Sequence, residues 1–314
     1  MGPDWIDARC SRVPGGAGLM AASAPATEWK RRLDSELTAR IAELDCCGIQ
    51  RQVLYAPLVL TSDDPRADSA AIGAVNDALA QVVSSAGGRL ESFAHIDFDD
   101  GTQGVRSLET AMERGFCGAA IRTRHREYRL DELFFRAFLA HADRDQFPVL
   151  ILSAGLHGGG PSIDARQQSH VGVHGDLGIC LARMIFTGVF EELPRLALYP
   201  VDGGGILPGL IARLDHGYEV RKECRALLPR PPSTYLRNVY VDGVALDEAT
   251  LECTMRLMGS AQIVFASDAT DCAVERRRIE GVLARANALA VSRVSPTFDE
   301  NARRLFRFGG RNAH

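Results

Sequence analysis

Three histidines, His157, His170 and His174, lie in one stretch that also holds Gly158-Gly159-Gly160. The i, i+4 spacing of the last two is one that metal-binding pairs use, although loop histidines that bind nothing are the commoner case. Charged residues at the ends of short apolar runs offer a different chemistry. Arg9 follows the first such run, Arg122 ends the fourth, Asp202 precedes Gly203-Gly204-Gly205, Asp268 follows the last run, and Arg213 follows the glycines. Two carboxyl groups whose surroundings push their pKa values apart can divide general acid and general base work. A guanidinium grips a carboxylate with a two-pronged hydrogen bond. The plainer structural readings are that Asp202 and Asp268 cap or turn the chain after a strand, and that Arg9 is a surface residue. If Arg9 points inward, it needs a carboxylate partner, because buried charges are paired.

These residues are positioned by a regular alternation of elements. Eight short apolar runs read as strands: Trp5 to Ala8, Gln52 to Ala56, Ser92 to Asp97, Gly118 to Arg122, Pro148 to Ser153, Leu196 to Val201, Asn238 to Asp242 and Gln262 to Ser267. Between them, sets such as Leu33, Leu37, Ile41 and Leu44, or Ile279, Val282, Leu283, Ala286 and Leu289, keep the spacing of one-sided helices. Strand-helix alternation over the whole length predicts a parallel sheet, and eight repeats predict one α/β domain over residues 1–314, a single (β/α)8 TIM barrel. The long stretches Val13 to Thr27 and Ala154 to Asp176 follow strands 1 and 5, which places them over the C-terminal face, where barrel sites lie.

Six landmarks then carry a resemblance that covers nearly the whole chain. They are Ile6-Asp7-Ala8-Arg9-Cys10-Ser11 with Pro14; Gly48-Ile49 leading to Val53-Leu54; Thr187-Gly188-Val189-Phe190 with Pro194; Asp202-Gly203-Gly204-Gly205-Ile206-Leu207-Pro208 with Arg213; Pro232 to Leu236; and Phe265-Ala266-Ser267-Asp268 with Asn301 to Phe306. In this order they resemble the amidohydrolase-related family, of the aminocarboxymuconate semialdehyde decarboxylase type. The resemblance implies a divalent metal held by two strand-1 histidines, a strand-5 histidine and the strand-8 aspartate, with a strand-6 histidine beside the metal-bound water. At those positions this chain has Arg9 and Ser11, Leu152, Asp268 and Asp202 respectively. A divalent ion needs three or four converging N, O or S donors, which Arg and Leu do not supply. The expectation is a site whose metal ligands are largely lost and which uses no metal and no other cofactor; because the resemblance makes the ends of strands 1 and 8 neighbours, Arg9 is expected in the place of the ion, paired with Asp268 and with Asp202 close enough to share it.

Metal-hydroxide hydrolysis is then disfavoured, because an arginine stabilises an oxyanion but does not generate hydroxide at neutral pH. Three functional classes stand. The first is a metal-independent lyase, decarboxylase-like, or an acid/base enzyme acting on a small carboxylated aromatic or cyclic substrate held by arginine. In it Arg9, Asp202 and Asp268 are catalytic, and Ser11, Arg122, His157 and Arg213 bind substrate. The second is a pseudoenzyme binding a ligand or partner through the old pocket, and the third a hydrolase with an unorthodox metal site built from the loop histidines.

A net charge of −4 and a pI near 6.1 give no footprint for nucleic acid or acidic membranes. The N-terminal residues carry no leader pattern and no run nears 18 apolar residues, so the expected setting is cytoplasmic, away from membranes. The eight cysteines form no C-x-x-C pair and read as reduced, mostly buried thiols, with one of Cys46 and Cys47 facing the core. Leu305, Phe306 and Phe308, read as apolar positions that a lone barrel leaves partly uncovered, point together with the family resemblance to a homodimer.

Overall fold

The computed structural model describes residues 5–10, 20–21, 37–56, 58–59, 65–99, 101–155, 171–243, 248–268, 277 and 297–308. Along them the principal elements alternate as β1 (Trp5–Cys10), α1 (37–46), β2 (Ile49–Leu54), α2 (Pro65–Ser85), β3 (Leu90–His95), α3 (Gly101–Glu113), β4 (Gly118–Arg122), α4 (Leu133–Asp145), β5 (Val149–Leu152), α5 (Val173–Phe186), β6 (Leu198–Pro200), α6 (Leu207–Val220), β7 (Val241–Asp242), α7 (Glu248–Met258), β8 (Ile263–Val264) and α8 (Thr297–Phe306). This is the strand-helix succession of a (β/α)8 barrel, the fold class that the apolar runs predicted. The contacts group into two compact units, residues 1–120 with 264–314, and residues 121–263.

In the first unit the strands are parallel. β1 pairs with β2 (Asp7 with Gln52, Cys10 with Leu54), β2 with β3 (Gln52 with Leu90) and β3 with β4 (Phe93 with Gly118, His95 with Ala120). On its other side β1 is met by the residues after β8, for Ala8 N donates to Phe265 O and Asp268 N to Arg9 O. α2 buries Ile72, Val75, Leu79 and Val82, the three- and four-residue spacing of a helix with one apolar face. α8 does the same with Phe298, Ala302, Leu305 and Phe306; Phe306 meets Phe93 edge-on at 5.6 Å, and Asp299 accepts a hydrogen bond from Ile6 N. Leu305 and Phe306 are thus core residues of the chain itself, and Arg51 lies over the Phe308 ring at 5.1 Å. The expectation that they are left uncovered is corrected: the amphipathic turn that carries them packs inward.

In the second unit β5 pairs with β6, and Leu198 bridges in parallel to Val239. Several runs are shorter than the sequence suggested. Asn238, expected in a strand, ends a 3-10 helix over Pro232–Asn238, and its amide donates to Pro194 O and Leu196 O, which leaves only Val241–Asp242 as strand. Ser260–Gln262 likewise turns before β8. Cys47 is buried and Cys46 exposed, the division the helical spacing predicted. Leu33 and the helical set from Ile279 to Leu289 lie outside the described residues, as does most of the two long stretches after strands 1 and 5. Among the described residues no helix is long and apolar enough to cross a membrane.

Candidate active site

Arg9 is the last but one residue of β1, and although it is charged its side chain is only 1% exposed. The partner such burial demands is present: Arg9 Nη1 donates to Asp268 Oδ1 at 3.0 Å. The same Nη1 reaches the Tyr55 hydroxyl at 3.4 Å, and that hydroxyl donates to Asp268 Oδ1 at 3.3 Å. The Arg9 guanidinium carbon also stands 5.7 Å from the centre of the Tyr55 ring, within the range of a cation–π contact. The backbone fixes all three groups at the end of β1. Asp268 N is bonded to Arg9 O, Tyr55 N to Cys10 O at 3.2 Å, and the Cys10 thiol donates to Asp268 O at 2.9 Å. Asp268 holds a left-handed backbone with φ of 51°, a conformation aspartate tolerates better than most residues. Its carboxylate is 25% exposed and is therefore the accessible member of the pair.

Beneath this cluster lies a second carboxylate. Asp7 is fully buried; its Oδ2 accepts from the Ser267 hydroxyl at 2.6 Å and Gln52 Nε2 at 2.7 Å, and its Oδ1 from Ser267 N at 2.9 Å and Arg9 N at 3.3 Å. Burial pushes its pKa up to about 6, against these hydrogen bonds, which favour the ionised form. His95, buried at the end of β3, meets Ala56 O through Nε2 at 2.7 Å and so props the segment that carries Tyr55. Tyr55, Asp7 and His95 were not singled out from the sequence. Asp7 had a signal, a carboxylate inside an otherwise apolar strand, whereas Tyr55 had none.

Of the other sequence candidates, Asp202 begins a tight turn, Asp202–Gly204, with φ of 54°. The turn is tight because Gly205 passes α5 so closely that a Cβ there would stand 2.4 Å from His174 O. Arg122 closes β4, its Nη1 donates to Ser153 O at 3.4 Å, and burial lowers its pKa. Arg213 lies well into α6 and is exposed, beside His216 and Arg221 along a separate groove. His174 sits half-buried in the first turn of α5, whereas Ser11, His157 and His170 lie outside the described residues. The structure therefore brings Arg9 and Asp268 together, and describes Asp202, Arg122 and Arg213 in the other unit.

The family resemblance implies a metal ion at this place in the barrel. A guanidinium has no lone pair to give and here bonds the aspartate oxygen an ion would use, and Leu152 at the end of β5 offers only an alkyl chain. Among the described residues no three His, Cys, Asp or Glu side chains gather in a set able to hold an ion. These residues do not fit a divalent ion held in that manner.

Comparison with known proteins gives three further findings. An amidohydrolase family model matches residues 6–308. A 2-amino-3-carboxymuconate-6-semialdehyde decarboxylase of Dictyostelium discoideum is 33% identical over 99 residues, a match spanning 31% of this chain and 28% of that relative's length. Among solved structures, a 2,6-dihydroxybenzoate decarboxylase complexed with 2,6-dihydroxybenzoate superposes with a TM-score of 0.71 at 21% identity, covering 99% of this chain and 100% of the other. A 5-carboxyvanillate decarboxylase of Novosphingobium aromaticivorans, with bound manganese and a nitrobenzoic acid, does so with a TM-score of 0.71 at 23% identity, covering 86% of this chain and 80% of that one. At such identities the solved structures establish a common fold.

Proposed function

This chain belongs to the amidohydrolase family, and we propose that within it the chain is a metal-independent lyase that decarboxylates a small carboxylated aromatic compound. The observation that carries this reading is the Arg9–Asp268 ion pair, with the Tyr55 hydroxyl between its members, where the family places a metal ligand. A 2,6-dihydroxybenzoate decarboxylase of the same fold suggests the substrate class.

Loss of CO2 from such a compound needs a proton delivered to the ring carbon that bears the carboxylate. The bonding pair of the broken C–C bond then stays with the ring as CO2 leaves, and water resupplies the proton. Asp268, the accessible carboxylate, and the Tyr55 hydroxyl hydrogen-bonded to it are the groups that move this proton. Arg9, buried beneath them, acts as a positioning residue: its guanidinium holds the carboxylate in place and supplies the positive charge a metal would otherwise bring. Arg122, Arg213 and Asp202 are not needed for this step. A second reading is a chain that binds a ligand at this site without turning it over, the Arg9–Asp268 pair serving only to hold the fold.

The test is CO2 release by the full chain from a panel of hydroxylated arenecarboxylates, before and after exhaustive chelation. Activity that survives chelation and falls at least about a hundredfold in Asp268→Asn, the scale of losing a general acid or base, supports the reading. Activity that chelation abolishes and manganese restores overturns it. Binding without CO2 release from any member assigns the chain to the second reading.

A further inference from the structure

The second unit holds a charged cavity of a different kind. After β4 the chain forms a small hairpin in which Arg124 pairs with Arg129 and His125 with Tyr128. Opposed residues of an antiparallel pair share a face and successive residues alternate, so the hairpin has an aromatic face and an arginine face. The aromatic face is docked: the Tyr128 and His125 rings both stack on Phe134, with centroids 4.4 and 6.0 Å away. That leaves Arg124 and Arg129 on the other face, where they line a cavity of about 180 Å³ with Thr123, Asp131, Asp176 and Arg183.

The remaining charges of this cavity are largely committed. Arg183 donates to both oxygens of Asp131 at 2.8 Å, a bidentate pair. Asp176 Oδ2 accepts from the Thr123 hydroxyl at 2.6 Å, the Ser153 hydroxyl at 2.7 Å and Ala154 N at 3.0 Å. Among the described residues neither the Arg124 nor the Arg129 guanidinium has an ion-pair or hydrogen-bond partner. Like charges placed directly opposite on a strand pair repel, and three arginines against two aspartates leave the cavity net positive.

We propose that this cavity binds a small oxyanion, a carboxylate or a phosphate, clamped between the guanidinium forks of Arg124 and Arg129. The planar fork matches either group with paired charge-assisted hydrogen bonds. A bound anion converts the opposed charges from a repulsion into two contacts, and the cavity volume suits one compact anion. The assignment is independent of the chemistry at Asp268.

The test uses the full chain in low-salt buffer, with sodium phosphate and sodium benzoate titrated separately to about 10 mM and binding read by calorimetry and by the melting temperature, a range that detects millimolar affinity. At least one of the two anions binds and raises the melting temperature, and the double variant Arg124→Gln with Arg129→Gln weakens it by about tenfold or more. Arg256→Gln, which removes an exposed arginine paired with Glu252 elsewhere in the unit, leaves binding as it was. Phosphate alone binding identifies a phosphate-bearing ligand; benzoate binding identifies a carboxylate. Because the variant removes only a repulsion, it melts no lower than the wild type without anion. Binding of neither anion, unchanged binding by the double variant, or a double variant that melts well below the wild type overturns the proposal.

Discussion

Arg9 in the first unit and the Arg124–Arg129 pair in the second treat positive charge in opposite ways. Arg9 is withdrawn from water, and its carboxylate partner is built into the fold at 3.0 Å. Arg124 and Arg129 stand at the wall of a cavity with no acidic partner among the described residues. The difference follows from solvation. A charge taken out of water must find its counter-charge during folding, because leaving it unpaired costs several kcal/mol. A charge that water still reaches has no such obligation and can leave its counter-charge to a ligand. The comparison therefore separates a group that stabilises the chain from groups that are free to recognise something.

The largest effect that this contrast predicts is at Arg9. Asp268→Asn strands the buried Arg9 and destabilises by about 3–5 kcal/mol, the cost of leaving a buried charge unpaired, whereas Arg9→Met leaves a carboxylate that water still reaches and costs less. The double change Arg9→Met with Asp268→Asn recovers much of the loss, since no charge is then left alone. Chemical denaturation of the four proteins measures this. Single changes that simply add in the double variant would show that the two residues do not depend on each other, and the contrast with the Arg124–Arg129 hairpin would lose its basis.

A second effect, somewhat smaller, lies in the pH dependence of Asp7. Its pKa in the folded chain is about 6, against 3.8 ordinarily, so the folded state takes up a proton more readily than the unfolded one. The stability this group contributes is fully present below about pH 4 and is lost as the pH rises through about 6. The size of the change is roughly 3 kcal/mol, since each pKa unit is worth about 1.4 kcal/mol. Asp7→Asn removes the titration, and Gln52 and Ser267 can reorient to meet the new amide. Denaturation curves of wild type and variant between pH 4 and pH 8 should therefore diverge, with the wild type losing ground as the pH rises. Parallel curves would mean that the four hydrogen bonds fully offset the desolvation.

Much of this was legible in the sequence, for reasons that differ residue by residue. The eight strand positions could be read because buried parallel strands leave apolar runs, and β4 was bounded correctly because Gly118 and Arg122 mark both of its ends. β7 was read too long because Asn238 sits inside an apolar run and yet bonds two carbonyls through its side chain, a tertiary contact that no local pattern records. Arg9 and Asp268 could be paired in advance because a buried cation requires an anion and the ends of strands 1 and 8 are neighbours in a barrel. Tyr55 was missed because its part in the cluster arises from the parallel register of β1 and β2, which leaves Tyr55 N bonded to Cys10 O. The arginine hairpin was missed for a related reason: Arg124, His125, Tyr128 and Arg129 read as a polar connection until the pairing shows that they divide into two faces.

Tyr55 gives the smallest stability effect and the sharpest division between structure and chemistry. Tyr55→Phe keeps the ring beside the Arg9 guanidinium and removes only the hydroxyl, whose two bonds are long, 3.3 and 3.4 Å. A net loss of at most about 1 kcal/mol follows, the ordinary worth of a hydrogen bond that water can partly replace. If the hydroxyl also moves the proton, kcat falls while KM holds, because the group is then used in the transition state and not in substrate binding. A drop in stability approaching that of Asp268→Asn would instead place Tyr55 among the groups that complete the buried pair. In that case the distinction would run between the Asp268 carboxylate and the groups that hold it, and proton transfer would have to be carried by that carboxylate alone.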